Sequence, residues 1–284
     1  RVLDTWFDNF TVQAALVIPA QFGASLKRGR KVAVQFVVDG SDARTATTVL
    51  AYGELLTSLV SPTVVQRQGT GTVRPTPLVW YNPKLRSSIF LVPGLLAFIL
   101  MITSVVATAL AVVREKERGT VECLRATPLR PVELILGKTL PYLILGLFSA
   151  ALALLVAHLL FHVPLRGSLF WLFLITVLFL LGGLGWGLFI STVADTQQVA
   201  FQMALFSTLL PTLLLSGFVF PISSMPRAIQ LVTTLIPARY FLVALRGIIL
   251  KANALALWWE QALALALFAA AVLTVAVLRS RRTL

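Results

Sequence analysis

The chain has 284 residues, of which 58% are hydrophobic and only 12% charged, against about 25% charged residues in a soluble domain. With a mean hydropathy of +0.89, this composition excludes a soluble domain and fits an integral membrane protein. A net charge of +13 invites a nucleic-acid reading, but the basic residues are scattered and form no nucleic-acid-binding motif, so anionic membrane lipids are the more natural partner.

Residues 1–87 contain no spanning segment and read as an α/β domain. Gln13 to Ile18 predicts a short strand, and Pro19 to Leu26 a short helix ended near Gly29. Val32, Val34, Phe36 and Val38 recur with a period of two, which predicts a second strand. Asp39-Gly40 signals a turn, and Ser41 or Asp42 can cap a helix from Ala43 to about Val60. Gln66 to Thr76 predicts a loop, followed by a strand around Leu78–Tyr81. Asp39 and Asp42 have no further oxygen ligands around them and fit a turn and a cap better than a calcium site. The only cysteine, Cys123, lies outside this domain, whose core must therefore hold without a disulfide.

Five apolar stretches follow, each long enough for the roughly 20 residues that cross a bilayer. They are Ser87–Val113, Thr139–Leu165, Gly167–Ala194, the part of Thr196–Pro226 up to about Gly217, and Gln261–Leu278. Between the first two lies residues 114–138, with Arg114, Lys116, Arg118, Arg125, Arg130 and Lys138. By the positive-inside rule this loop is cytoplasmic, as is the end at Arg279, Arg281 and Arg282. Residues 1–87 are then extracytoplasmic. An odd number of spans puts the two ends on opposite sides, so an upstream spanning helix, six spans in all, is expected of the full-length protein. Within the loop, Thr127-Pro128 ends one helix and Pro131 can start another. Arg118 and Glu122 would pair along the first.

Residues 218–251 do not fit a full span. Pro226 and Pro237 bracket a helix of about ten residues, and Ala238–Leu250 forms a second, with Arg239 and Arg246 on one face. Both are too short to cross and read as re-entrant or interfacial helices on the outer side. Trp258 and Trp259 fall where an aromatic belt belongs. Gly183 and Gly187 form a G-x-x-x-G pair suited to close helix packing, within the subunit or across a dimer.

Three stretches carry a family resemblance. Glu115-x-Glu117-x-Gly119-Thr120-x-Glu122-x-Leu124-x-x-Thr127-Pro128 resembles the cytoplasmic loop of type-2 ABC exporter permeases, the ABC-2 class. Ser216-Gly217-Phe218-Val219-Phe220-Pro221, followed by Ile236-Pro237-Ala238-Arg239-Tyr240, resembles that family's segment before its last membrane helix. Val17-Ile18-Pro19, Arg28-Gly29-Arg30 and Val38-Asp39-Gly40 are similar to the extracytoplasmic domain of its multidrug-type members. The resemblance implies a polytopic α-helical membrane protein at the inner (plasma) membrane, working as a homodimer or as a heterodimer with a close paralogue. It implies a separate ABC ATPase subunit, which holds ATP-Mg and docks on Glu115, Glu117, Gly119, Thr120, Glu122, Leu124, Thr127 and Pro128. It also implies that Gly217, Pro221, Pro237, Arg239 and Tyr240 shape the re-entrant segment.

No cofactor is expected in this chain. Leu136-Gly137-Lys138-Thr139 mimics the end of a phosphate-binding loop, but Val132 stands where the earlier glycine belongs. His158 and His162 are spaced for a shared metal but have no carboxylate or cysteine near them. No catalytic constellation is visible. The favoured function is outward movement of an amphipathic, drug-like or lipid-like substrate. The alternative is a sensor or cell-envelope scaffold, which would need only one or two spans.

Overall fold

The computed structural model describes residue 7 and residues 12–28, 32–68, 73–119, 131–251 and 258–283. They fall into two compact units, Arg1–Phe90 and Leu91–Leu284.

The first unit holds strands β1 (Ala14–Val17), β2 (Val32–Asp39) and β3 (Val73–Trp80) with helices α1 (Phe22–Lys27) and α2 (Ala43–Gln68). The sheet order is β1-β2-β3, β1 antiparallel and β3 parallel to the central strand. A parallel pair needs a crossover, and α2 supplies it. Pro75 and Pro77 lie opposite Val34 and Phe36. Being two apart, both turn their missing N–H towards the free edge of the sheet, the place where a strand tolerates proline. Val34, Val37, Val38, Ala43 and Ala46 are buried. Gly40 is required sterically, because a Cβ there would lie 2.6 Å from Val79 and 2.7 Å from the Trp80 carbonyl. Asp39 accepts from the Ser41 amide at 2.8 Å, while Asp42 accepts from the Arg44 amide at 3.0 Å and the Thr45 hydroxyl at 2.8 Å. These are the turn and cap expected from the sequence. α2 runs to Gln68, eight residues beyond the helix expected, and β3 takes up part of the expected loop.

The remaining helices are α3 (Ser87–Glu117), α4 (Pro131–Phe161), α5 (Leu169–Val193), α6 (Gln197–Leu215), α7 (Arg227–Thr233), α8 (Pro237–Arg246) and α9 (Trp259–Thr283). Five of them carry stretches long and apolar enough to cross a membrane: Ser87–Glu117, Leu136–Phe161, Leu169–Val193, Gln197–Leu215 and Trp259–Arg279. This is a polytopic helical membrane protein with a small sheet near its amino terminus. α3 and α5 are the interior helices, 56% and 61% buried over their apolar windows, whereas α4 is only 11% buried. The uniformly apolar α4 is therefore left mostly uncovered by the other described helices of the chain.

Glycines let α5 approach two neighbours closely. Gly183 and Gly187 face α3, where a Cβ at Gly187 would lie 2.6 Å from the Val105 carbonyl and 2.9 Å from Thr108. Gly182 and Gly185 face α9, against Phe268 and Leu273. The G-x-x-x-G contact thus lies within the subunit. Residue numbers rise together along the α5–α9 contact, from Gly182 and Phe268 to Leu188 and Ala276, so these two helices run parallel.

Candidate functional site

The charged end of the bundle is built on α3, which continues helically past its apolar run through Arg114, Glu115, Lys116 and Glu117. Residues two apart on a helix do not share a face, so the two carboxylates reach different neighbours. Glu115 accepts from the Lys138 ammonium on α4. Glu117 accepts from the Gln197 backbone amide at 2.6 Å and from its side-chain amide. That backbone amide is one of the donors a helix amino terminus leaves unmatched, and a neighbouring Thr196 hydroxyl caps Val199 at 3.3 Å. Lys116 donates to Asp195 at 2.7 Å and to the Ala194 carbonyl at 3.1 Å. Arg114 donates to the Gln197 side chain at 3.3 Å.

The end of α3 is thus clamped to the start of α4 on one side and to the α5–α6 turn on the other. The Lys116 hydrogen bond and charge hold the Asp195 carboxyl below its usual range, so this contact persists at neutral pH and weakens as acidification protonates the carboxyl. Asp195 is 86% exposed, so the pair orients the turn more than it stabilises it. Glu115 and Lys138 are 36% and 18% exposed, which makes theirs the better shielded contact.

Gly119 stops α3. Its φ of +70° and the bond from its amide to the Lys116 carbonyl at 3.2 Å are those of a left-handed helix end. The membrane helix thus ends before residue 119, and the expected pairing of Arg118 with Glu122 lies outside the described residues. Glu115 and Glu117 likewise stand on the extension of a membrane helix, not on a separate loop helix. Thr120, Glu122, Leu124, Thr127 and Pro128 lie outside the described residues, as does Cys123. Gly137 and Lys138 sit inside α4, where no phosphate-cradling loop can form. Sequence reasoning missed Asp195 and Gln197 and gave Lys116 only a part in topology. The available signal was a lone acid, Asp195, in the turn between two apolar spans.

At the other end of α6, Gly217 takes a φ of +81° and turns the chain. Pro221 precedes a single 3-10 turn, Ile222–Ser224. α7 and the helix through Pro237–Leu250 meet at 82°, with Pro237 in the first turn of α8. Arg239 closes the elbow by donating to the Thr233 hydroxyl at 2.5 Å, and Tyr240 donates to the Thr234 carbonyl at 2.8 Å. α8 passes into a π-helical turn at Gly247–Lys251. Phe241 stacks flat on Phe179 of α5, centroids 4.1 Å apart. Trp258 is only 2% exposed and packs against Trp171 at 5.3 Å, so only Trp259, 53% exposed, can serve as an aromatic belt residue. His158 meets the Val163 carbonyl at 3.1 Å, and no metal-binding group of His, Cys, Asp and Glu occurs among the described residues.

The sequence pattern of the ABC-2 family transporter proteins matches residues 2–278. The chain belongs to this family. Relatives include the probable multidrug ABC transporter permease YbhS of Escherichia coli strain K12, 39% identical over 249 residues, covering 85% of this chain and 65% of YbhS. The probable multidrug ABC transporter permease YbhR of the same strain is 32% identical over 256 residues, covering 88% of this chain and 69% of YbhR. ABC transporter G family member 20 of Dictyostelium discoideum is 32% identical over 193 residues, 66% of this chain and 26% of that protein. The chain therefore matches about two thirds of the length of the two bacterial relatives. In this ABC-2 protein, the clamped end of α3 is the start of one of the three stretches that carry the family resemblance.

Proposed function

We propose that the chain is the permease part of an ATP-driven exporter of the inner (plasma) membrane, moving an amphipathic, drug-like or lipid-like substrate outward. The observation that carries this reading is the family match over nearly the whole chain, joined to five apolar spans and a bent helix pair. Two curated relatives are named as probable multidrug ABC transporter permeases. ATP-Mg is held by a separate ATPase subunit that docks on residues 114–138, and two permease chains, identical or paralogous, form the path. Closure of the ATPase subunits presses on the loop. Because Glu115, Lys116 and Glu117 tie α3 to α4 and to the α5–α6 turn, that push moves four helix ends together rather than one.

The test is co-purification with the ATPase subunit and substrate-stimulated ATP hydrolysis. Glu122→Ala, or Thr127→Ala with Pro128→Ala, leaves the protein folded and inserted. A carboxylate lost from an interface costs about 2–5 kcal/mol, so docking weakens about thirty-fold or more. Glu260→Ala, at the far end of the bundle, serves as the control. Unchanged docking and stimulation in the loop variants would return the loop to a topology signal and favour the sensor or scaffold.

Topology has its own measurement. Cys123 is expected on the cytoplasmic side, so a membrane-impermeant thiol reagent leaves it unlabelled in intact cells and labels it in inverted vesicles. Labelling from outside overturns the arrangement, including an extracytoplasmic residues 1–87.

A further inference from the structure

A shallow groove runs between the parallel helices α5 and α9, lined by Trp186, Phe189, Ala271, Val272 and Val275. Its volume is about 200 Å³, below the roughly 300–1,000 Å³ of pockets that hold drug-sized molecules. It suits a stretch of a single hydrocarbon chain. Ala271 opens the groove beside Trp186, whose indole is fixed by donating to the Ser207 hydroxyl at 3.1 Å. Trp186 and Phe189 lie 5.4 Å apart, tilted by 31°, and form one continuous wall.

One end of this wall carries a cation. The Arg279 guanidinium stands 5.8 Å from the centre of the Phe189 ring. Arg279 follows Val275 by one helical turn and closes the apolar span Trp259–Arg279. It therefore stands at the end of the apolar span, where a lipid headgroup would lie, beside an open groove. In sequence Arg281 and Arg282 follow it, adding positive charge at the same membrane surface.

We propose that this groove binds an anionic phospholipid, the acyl chain lying along Trp186, Phe189 and Ala271 and the headgroup phosphate against Arg279. The two halves of the site match the two halves of such a molecule in order: a cation where the phosphate lies, then an apolar channel where the chain begins. Arginine also suits the phosphate better than lysine would, because its planar fork can donate two parallel bonds. The site is independent of whichever cargo the chain moves.

The test is fluorescence of the full chain reconstituted in phosphatidylcholine vesicles containing a minor fraction of brominated lipid. The difference between wild type and Trp186→Phe isolates the Trp186 emission. Brominated phosphatidylglycerol is expected to quench it about five-fold more effectively than brominated phosphatidylcholine, the preference one arginine near the membrane surface supports. Arg279→Gln, at an exposed position, removes that difference. Ala271→Leu fills the groove, retains the cation and also removes it. Equal quenching by the two lipids in wild type overturns the proposal. So does a preference surviving Ala271→Leu, which would reflect surface charge alone. No quenching by either lipid also overturns it, since another helix must then cover the groove.

Discussion

Replacing Gly187 with leucine is expected to leave almost no folded protein. Even a bare Cβ at this position would sit 2.6 Å from the Val105 carbonyl oxygen and 2.9 Å from Thr108 on α3. Neither neighbour can swing away: one is a backbone oxygen and the other is the Thr108 Cβ, which no side-chain rotation moves. α3 and α5 would have to separate along their length. Overpacking of this kind costs about 1–3 kcal/mol and occasionally more, and here the two interior helices of the bundle are the ones pushed apart. The alanine series gives the finer test. Gly187→Ala should destabilise more than Gly183→Ala, where the nearest atom is the Ser104 hydroxyl, the end of a side chain that can turn. Gly137→Ala meets nothing within 4 Å and should be neutral or stabilising by about 0.5–1 kcal/mol, the usual difference between glycine and alanine inside a helix. Size-exclusion profiles and thermal midpoints of the purified variants measure the order. If Gly187→Leu gives wild-type yield and midpoint, the close approach of α3 and α5 is wrong.

Phe241→Ala is the second large effect. Phe241 is fully buried and stacks on the buried Phe179 with an angle of 5° between rings, which anchors α8 to α5. In a soluble core, Phe→Ala costs about 3–5 kcal/mol, part from transfer out of water and part from the cavity. Between membrane helices the transfer contribution shrinks, because lipid tails are as apolar as the side chain, and lost packing remains. The expected cost is therefore about 3 kcal/mol, at the low end of that range. Leu231→Ala on α7, where the side chain is 71% exposed, should change stability by less than about 0.5 kcal/mol. Equal effects in a denaturant titration would mean that the bent helix pair is not held by the Phe179–Phe241 stack. The Arg239 and Tyr240 bonds that close its elbow would persist in both variants and serve as the internal reference.

The apolar spans and their order were legible because uninterrupted hydrophobicity over about 20 residues has few other outcomes. The broken pair was legible from Pro226 and Pro237, and the Asp42 cap from residue chemistry at a strand–helix junction. Ends were less so: α2 and α3 run further than their apolar patterns, α3 because it carries four charged residues whose partners lie 23 to 83 positions away. Glu115 and Glu117 are a case in point. Sequence marked them as acids in a basic loop, and the family resemblance implied docking on both, but the bonds that Lys138 and Gln197 make with them within the chain left no trace in the local pattern.

The sequence by itself determined a membrane protein, its five spans, its bent pair and its small α/β unit, because composition, length and proline placement act locally; the resemblance to the ABC-2 class rested on its quoted motifs. Only the tertiary structure decided which glycines meet which helix, that Trp258 is buried rather than interfacial, and that the end of α3 is clamped. It also revealed the groove beneath Arg279. Each of these depends on which helix faces stand side by side. α4, α5 and α9 are apolar almost all round, so hydrophobicity singles out no one face. Gaps of van der Waals size and single hydrogen bonds make that choice.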